Sequence, residues 1–167
     1  TPNLTQTFQS AWDEQTWEMI MTGRRLFFDP TIMFQAEIIR KIGGYRTFQR
    51  SGLDVDLWLR LLEHGGRAAV LNQILYTWRI GFASLTASPK SAAMNKIPRL
   101  LAQERLAVGS DRVMRGEPLD GMITNEILEQ AQYWHVASHW LNAILCLQAG
   151  DWISASQFIK RGFSKGS

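Results

Sequence analysis

The chain has 167 residues, of which 46% are hydrophobic, and a formal net charge of +3. This composition predicts an ordinary globular chain with a hydrophobic core. Its densest basic spots, Arg24-Arg25 and Arg40-Lys41, are isolated pairs, which argues against a nucleic-acid-binding protein. No apolar run approaches the ~18 residues that a membrane span needs, and the first residues lack the basic-then-apolar pattern of a secretion signal.

The single cysteine, Cys146, lies in the apolar run LNAILCLQ. One cysteine cannot form an internal disulfide, so we expect a buried, inert thiol in a reducing compartment. These features predict a cytoplasmic protein, with peripheral association at the inner membrane face as an alternative.

The first part of the chain is predicted to mix helices and strands. A short helix of one or two turns is expected within residues 1–25, from Trp12, Gln15, Trp17, Met19 and Ile20. The β-branched and aromatic residues from Thr31 to Phe34 predict a short buried strand. In QAEIIRKIGGYR the apolar residues have helical spacing, and Gly43-Gly44 provides a left-handed stop.

The segment LDVDLWLRLLEHGG has the clearest helical pattern in the chain. Its apolar residues recur at i, i+3, i+4 and i+7, namely Val55, Trp58, Leu59 and Leu62. Two extended segments around Asn72 are predicted next. The Ser/Thr/Gly loop GFASLTASPK that follows is a candidate ligand-binding segment.

Beyond Pro89 the pattern becomes entirely helical, over residues 98–113 and 124–163. The last stretch predicts a helical hairpin that turns at Gly150, with Asp151 starting the second helix. Trp140 and Phe158 are expected near the inner face of this hairpin. We therefore predict one domain over residues 1–88 and a helical extension over residues 89–167.

Four short motifs follow one another in the first domain: PTIMF, GGYR, LDVDLWLR and LYTWR. In this order and spacing they resemble the second half of family 2 glycosyltransferase domains, over residues 27–86. The resemblance implies an α/β (α+β) fold, part of a GT-A Rossmann-like domain, followed by the all-α extension. It also implies that the half binding most of the nucleotide is missing.

The resemblance implies an inverting enzyme that transfers a sugar from a nucleotide-sugar donor to a hydroxyl acceptor, in glycan or polysaccharide synthesis. A divalent metal, Mg or Mn, is expected in the intact enzyme, with ligands mostly outside this chain, because no Asp-x-Asp precedes residue 27. The DVD at 54–56 belongs to the base motif instead. The chain is not expected to act without the other half.

Asp54 matches the residue that serves as the catalytic base in this family. A carboxylate at a helix start is held by free N–H groups and can accept a proton from a positioned alcohol. The alternative is that Asp54 or Asp56 simply caps the helix. Asp56 points to the other side of the helix and is expected to make a structural hydrogen bond.

Four further residues are candidates for substrate binding: Trp58, Arg79, Ser84 and Thr86. Trp58 shares the face of Asp54 and fits either sugar stacking or core packing. The match places Arg79 near the donor diphosphate, although a strand-end arginine in solvent fits equally. Ser84 and Thr86 match polar positions of the loop that follows.

Two departures from the family pattern and one further pattern leave other functions open. Leu53 stands where the family has a glutamate and Gly81 where it often has a histidine, so a catalytically silent relative is an alternative. The terminal helices have the small-residue helix-turn-helix pattern of a tetratricopeptide-like pair, which suggests a protein-interaction module. His135 and His139 have i, i+4 spacing without supporting ligands, so no metal site is predicted there.

Overall fold

The computed structural model describes residues 16–23, 29–69, 75–76 and 88–163. Within these ranges the regular structure is helical, with one 3-10 helix at Asp29–Thr31 and no strand or sheet. The α-helices are α1 (Trp17–Met21), α2 (Ala36–Lys41), α3 (Leu53–Glu63), α4 (Pro89–Met94), α5 (Ile97–Val108), α6 (Asn125–Gln148) and α7 (Trp152–Phe163).

The predicted α/β (α+β) fold with a partial GT-A Rossmann-like domain is therefore wrong for the described part of the chain. Thr31 ends the 3-10 helix, residues 32–35 have no regular structure, and Met33 is 98% exposed. A strand is stable only when a neighbouring strand pairs with its backbone N–H and C=O groups, and no such neighbour occurs among these residues. Most of the extended pair predicted around Asn72 lies outside the described ranges.

The chain forms two compact units, and the first comprises the described residues within Phe8–Arg79 and Met94–Ile123. Its core is built around α3, which contacts α1 and α5 and not the predicted sheet. α3 is buried on nearly every side, from Val55 to Leu61. Apolar side chains of three other helices complete this cluster, among them Ile20 of α1, Ile39 of α2 and Ala102 of α5.

Glycines end the helices of this unit where the sequence predicts. Gly43 and Gly44 follow α2, and Gly65 follows α3, all with positive φ. The backbone N–H of Gly44 reaches back to the carbonyl of Ile39, which closes the end of α2. The predictions for α2 and α3 are confirmed, because short-range periodicity and a glycine stop are sufficient to define them.

The second unit contains the described residues of Ile80–Ala93 and Thr124–Ser167, and its main feature is the hairpin of α6 and α7. The hydroxyl of Thr124 accepts from the N–H of Ile127, and the Asp151 carboxylate accepts from the N–H of Ser154, so each helix begins at a side-chain cap. Gly150 has φ +74° in the turn. The predicted hairpin is confirmed.

The hairpin core consists of small and aromatic side chains between the two helices. Ala143 and Cys146 of α6 pack against Ala155 and Phe158 of α7. Cys146 is a free, buried cysteine, as predicted, and burial raises the pKa of its thiol. No helix in the described ranges has both the length and the apolar character that crossing a bilayer requires. The domain boundary near Pro89 stays a prediction.

Candidate active site

The start of α3 is held in place by a glycine that no other residue could replace without strain. Gly52 precedes the helix with φ +77°. A Cβ atom added there would lie 2.9 Å from Oδ1 of Asn95 and 3.2 Å from Cγ of Pro98. The close approach of this backbone to the start of α5 fixes the direction in which the first turn of α3, and with it Asp54, emerges.

Asp54 lies in this first turn and is half-buried. Burial is the largest influence on its carboxyl group and raises the pKa. The negative charge of Asp29 acts in the same direction, whereas the backbone N–H groups at the helix start and the charge of Arg99 oppose it. The net result is a raised pKa, which makes the Asp54 carboxylate a stronger base than a solvent-exposed aspartate.

Tyr45 and Asp29 form a hydrogen-bonded pair beside Asp54. The hydroxyl of Tyr45 donates to Oδ1 of Asp29, and both residues are exposed. Burial, this hydrogen bond and the charges of Asp29 and Asp54 raise the pKa of Tyr45 well above its ordinary value. The tyrosine therefore remains a protonated donor at neutral pH.

Arg99 provides the positive charge near Asp54. Its Nε donates to the carbonyl of Ile20 at 3.0 Å and its Nη1 to the carbonyl of Asn95 at 2.9 Å, so two backbone segments hold the guanidinium in place. Asp54 thus lies among a fixed cation, a second carboxylate and a phenol. The sequence shows no local pattern that would have linked Asp29, Tyr45 and Arg99 to it.

Asp56, two residues farther along, has a different environment. Its side chain is fully buried and accepts from Nε of Arg46 and Nε of Arg60, each at 2.9 Å. Arg60 also donates to the carbonyls of Ile42 and Gly44 at the end of α2. Asp56 is therefore a structural group that joins α3 to the segment after α2. This agrees with the structural hydrogen bond expected from its position on the side of α3 away from Asp54.

The Asp56 network extends into α5 and the turn after it. Arg46 also donates to both carboxylate oxygens of Asp111, and Arg105 bridges Asp111 and Glu63. Burial acts to raise the pKa of Asp111, but the N–H of Met114 and the two arginines outweigh it and lower that pKa. The sequence did not indicate this network.

The four candidate substrate residues lie in different parts of the chain. Trp58 is 2% exposed and packs in the α3 core, where its ring lies 6.4 Å from that of Phe34 between centroids and is tilted from it by 53°. Its burial favours the packing role over sugar stacking. Arg79, Ser84 and Thr86 lie outside the described residues, as does Gly81.

Among the described residues, neither the His135–His139 pair nor the surroundings of Asp54 bring together enough ligands for a metal ion. Nε2 of His135 and Nε2 of His139 are 3.1 Å apart, and burial lowers the pKa of both rings. In the described ranges no group of three or more His, Cys, Asp or Glu residues could hold a metal ion. Asp29 and Asp54 supply two carboxylates without a third ligand, so these residues do not fit the divalent metal that the resemblance implies.

One comparison links the chain to a named protein. A stretch of 62 residues is 40% identical to the Bacillus subtilis (strain 168) protein named "Putative glycosyltransferase EpsE". The matched stretch is 36% of this chain and 22% of that protein, so the chain spans a small part of its relative's length. No family model and no solved structure matches the chain. The match supports a relationship to glycosyltransferases.

Proposed function

We propose that the chain is part of an inverting family 2 glycosyltransferase and that Asp54 is its catalytic base. The observation that carries this proposal is the environment of Asp54, a half-buried carboxylate in the first turn of α3 whose pKa is raised by burial and by Asp29. A general base works best when its pKa approaches the working pH. The relationship to a glycosyltransferase supplies the class of reaction.

In the proposed reaction an acceptor hydroxyl binds against the exposed side of Asp54. The carboxylate takes the hydroxyl proton while the acceptor oxygen forms a bond to the anomeric carbon of the donor sugar. The bond from that carbon to the nucleoside diphosphate breaks in the same step, so the configuration inverts. The bonding electrons and the negative charge leave with the diphosphate.

The neighbours of Asp54 support this role. The charge of Asp29 disfavours a second negative charge nearby and so favours proton uptake by Asp54. Arg99 holds a positive charge in a fixed position, and this charge lowers the pKa of Asp54 and so opposes the effect of Asp29. A base must be ionised before the reaction and able to hold a proton during it.

The donor site is proposed to lie largely on residues beyond those described. Arg79, Ser84 and Thr86 remain candidates for the donor diphosphate and acceptor through the resemblance alone. A divalent metal would neutralise charge on the departing diphosphate in such an enzyme. Its ligands are expected from other parts of the protein, because the described residues do not supply them.

The test compares Asp54→Asn with a matched variant in the full-length protein. Glu37→Gln is the matched control, because it also removes a carboxylate from the first turn of a helix but at an exposed position in α2. Release of nucleoside diphosphate is measured with a panel of UDP- and GDP-sugars, Mn²⁺ and sugar acceptors. Turnover should fall by the ~10² to 10⁴-fold typical of losing a positioned base in Asp54→Asn and stay unchanged in Glu37→Gln.

Binding of the donor, measured by calorimetry, should be nearly unchanged in Asp54→Asn, because the base acts on the acceptor. Full turnover in Asp54→Asn would refute the catalytic role. If the wild-type protein binds a nucleotide sugar but never releases the diphosphate, the chain is a catalytically silent relative, the alternative that Leu53 and Gly81 raise.

A further inference from the structure

One broad face of the α6–α7 hairpin exposes large apolar side chains. We call this the hairpin face and define it by five exposed side chains and one half-buried one: Tyr133, Ile144, Leu147, Trp152 and Phe163 are exposed, and Trp140 is half-buried. Tyr133 and Ile144 are eleven residues apart in α6, as are Trp152 and Phe163 in α7. Eleven residues are close to three helical turns, so each pair shares one side of its helix.

The hairpin face continues from one helix to the other. The rings of Trp140 and Phe163 meet edge to face with their centroids 4.9 Å apart. A Cβ atom added at Gly162 would lie 3.0 Å from Nε1 of Trp140, so the two helices approach closely here. The face is thus one surface and not two separate stripes.

Trp140 and Phe163 pack against each other across the two helices, but the core of the hairpin lies on other sides of α6 and α7. Ala143, Cys146, Ala155 and Phe158 fill the space between the helices and point elsewhere on each helix. On the face itself, Tyr133 is 69% exposed, Trp152 is 71% exposed and Phe163 is 73% exposed. Isolated apolar side chains on a surface are common, but a continuous patch of this kind marks an interaction site.

We propose that the hairpin face binds the same face of a second copy of this chain. Two hairpins would then form a four-helix bundle around a two-fold axis, in which each face covers the other. A large apolar side chain has an area of about 200 Å². With the exposures of the face, pairing would remove roughly 600 Å² of surface per copy, or roughly 1,200 Å² in total, which reaches the range of stable interfaces.

The charges of the hairpin favour a second copy over a lipid surface. Helices that lie on membranes are rich in Lys and Arg. The described hairpin carries Lys160 and Arg161 against Glu126, Glu129 and Asp151, so it has no cationic excess. None of the six side chains that define the hairpin face is charged. Two copies can therefore meet without burying an unpaired charge.

The test measures the self-association of the full-length protein by sedimentation velocity over a wide range of concentration. The wild-type protein should form a dimer. Trp152→Glu should weaken dimerisation by roughly thirtyfold or more, because it places a charge among the apolar side chains that pairing would bury. Leu106→Glu is the matched control, since Leu106 is 77% exposed in α5, in the other unit, and should leave the dimer unchanged.

Far-UV circular dichroism checks that each variant keeps its helices. If Trp152→Glu unfolds the hairpin, Tyr133→Glu replaces it, because Tyr133 lies far from the turn. A wild-type protein that stays monomeric at every concentration overturns the proposal, and so does a dimer that neither face variant weakens. A monomer that binds anionic phospholipid vesicles, and loses this binding in Trp152→Glu, would assign the face to a membrane and also overturn it.

Discussion

Replacing Asp56 by asparagine should destabilise the unit built around α3 much more than the same replacement at Asp54. Asp56 is fully buried and accepts from two arginines, whereas Asp54 is half-buried at the helix start. An asparagine at position 56 would keep one acceptor oxygen. Its amide group would turn N–H donors toward the N–H donors of Arg46 or Arg60.

The size of the effect follows from the burial of the two arginines. The side chains of Arg46 and Arg60 are only 15% and 6% exposed, so neither guanidinium could regain a full shell of water. Breaking a buried ion pair by removing one partner costs about 3–5 kcal/mol. We expect Asp56→Asn to lower the free energy of unfolding by about 3 kcal/mol, the lower end of this range. Arg46 would keep its bonds to Asp111, and Arg60 would keep its bonds to two backbone carbonyls.

The assay is equilibrium unfolding in urea, followed by tryptophan fluorescence and by circular dichroism. Asp56→Asn should lower the transition midpoint at an unchanged slope, whereas Asp54→Asn should move it by less than about 1 kcal/mol in equivalent free energy. If Asp56→Asn lowered the free energy of unfolding by less than about 1 kcal/mol, the reasoning would be refuted. An equal loss in both variants would show that the network has no special role.

Three further predictions concern local features. Gly52→Ala should lower the free energy of unfolding more than Gly65→Ala does. Both glycines have positive φ, but of the two only Gly52 would place the new Cβ within 4 Å of other atoms. Urea midpoints of the two variants test this prediction. Because burial and Asp29 raise the pKa of Asp54, its ionisation lowers stability as the pH rises from the ordinary carboxyl pKa through the raised one. Asp54→Asn should therefore be at least as stable as wild type at pH values above the raised pKa. This difference in stability should disappear at pH values below the ordinary carboxyl pKa, and urea midpoints measured across pH would show it. Cys146 should react with a thiol reagent only as the hairpin opens, so fast modification of the folded protein would contradict its burial.

The helices of this protein are specified by short-range patterns. α2 and α3 end at glycines, and the α6–α7 hairpin turns at Gly150 between helices that begin at Thr124 and Asp151. A helix satisfies its backbone groups within four residues along the chain, so apolar spacing, a cap and a stop contain most of the necessary information. The buried state of Cys146 could be predicted for the same reason.

The predicted sheet shows the limit of such patterns. Thr31 to Phe34 has strand-like composition, but a strand depends on a partner that is distant in the sequence, and composition cannot reveal whether that partner is present. In the described residues it is absent, and the segment becomes a 3-10 turn followed by irregular chain. α3 packs on other helices instead.

The surroundings of Asp54 depend on contacts between distant segments. The motif identified Asp54, but Asp29, Tyr45 and Arg99 reach it from a 3-10 helix, a loop and α5. The bond between Arg46 and Asp111 likewise joins residues 65 positions apart. Ion pairs of this kind leave no periodic signal in a sequence, because their energy depends on burial and distance, and packing sets both.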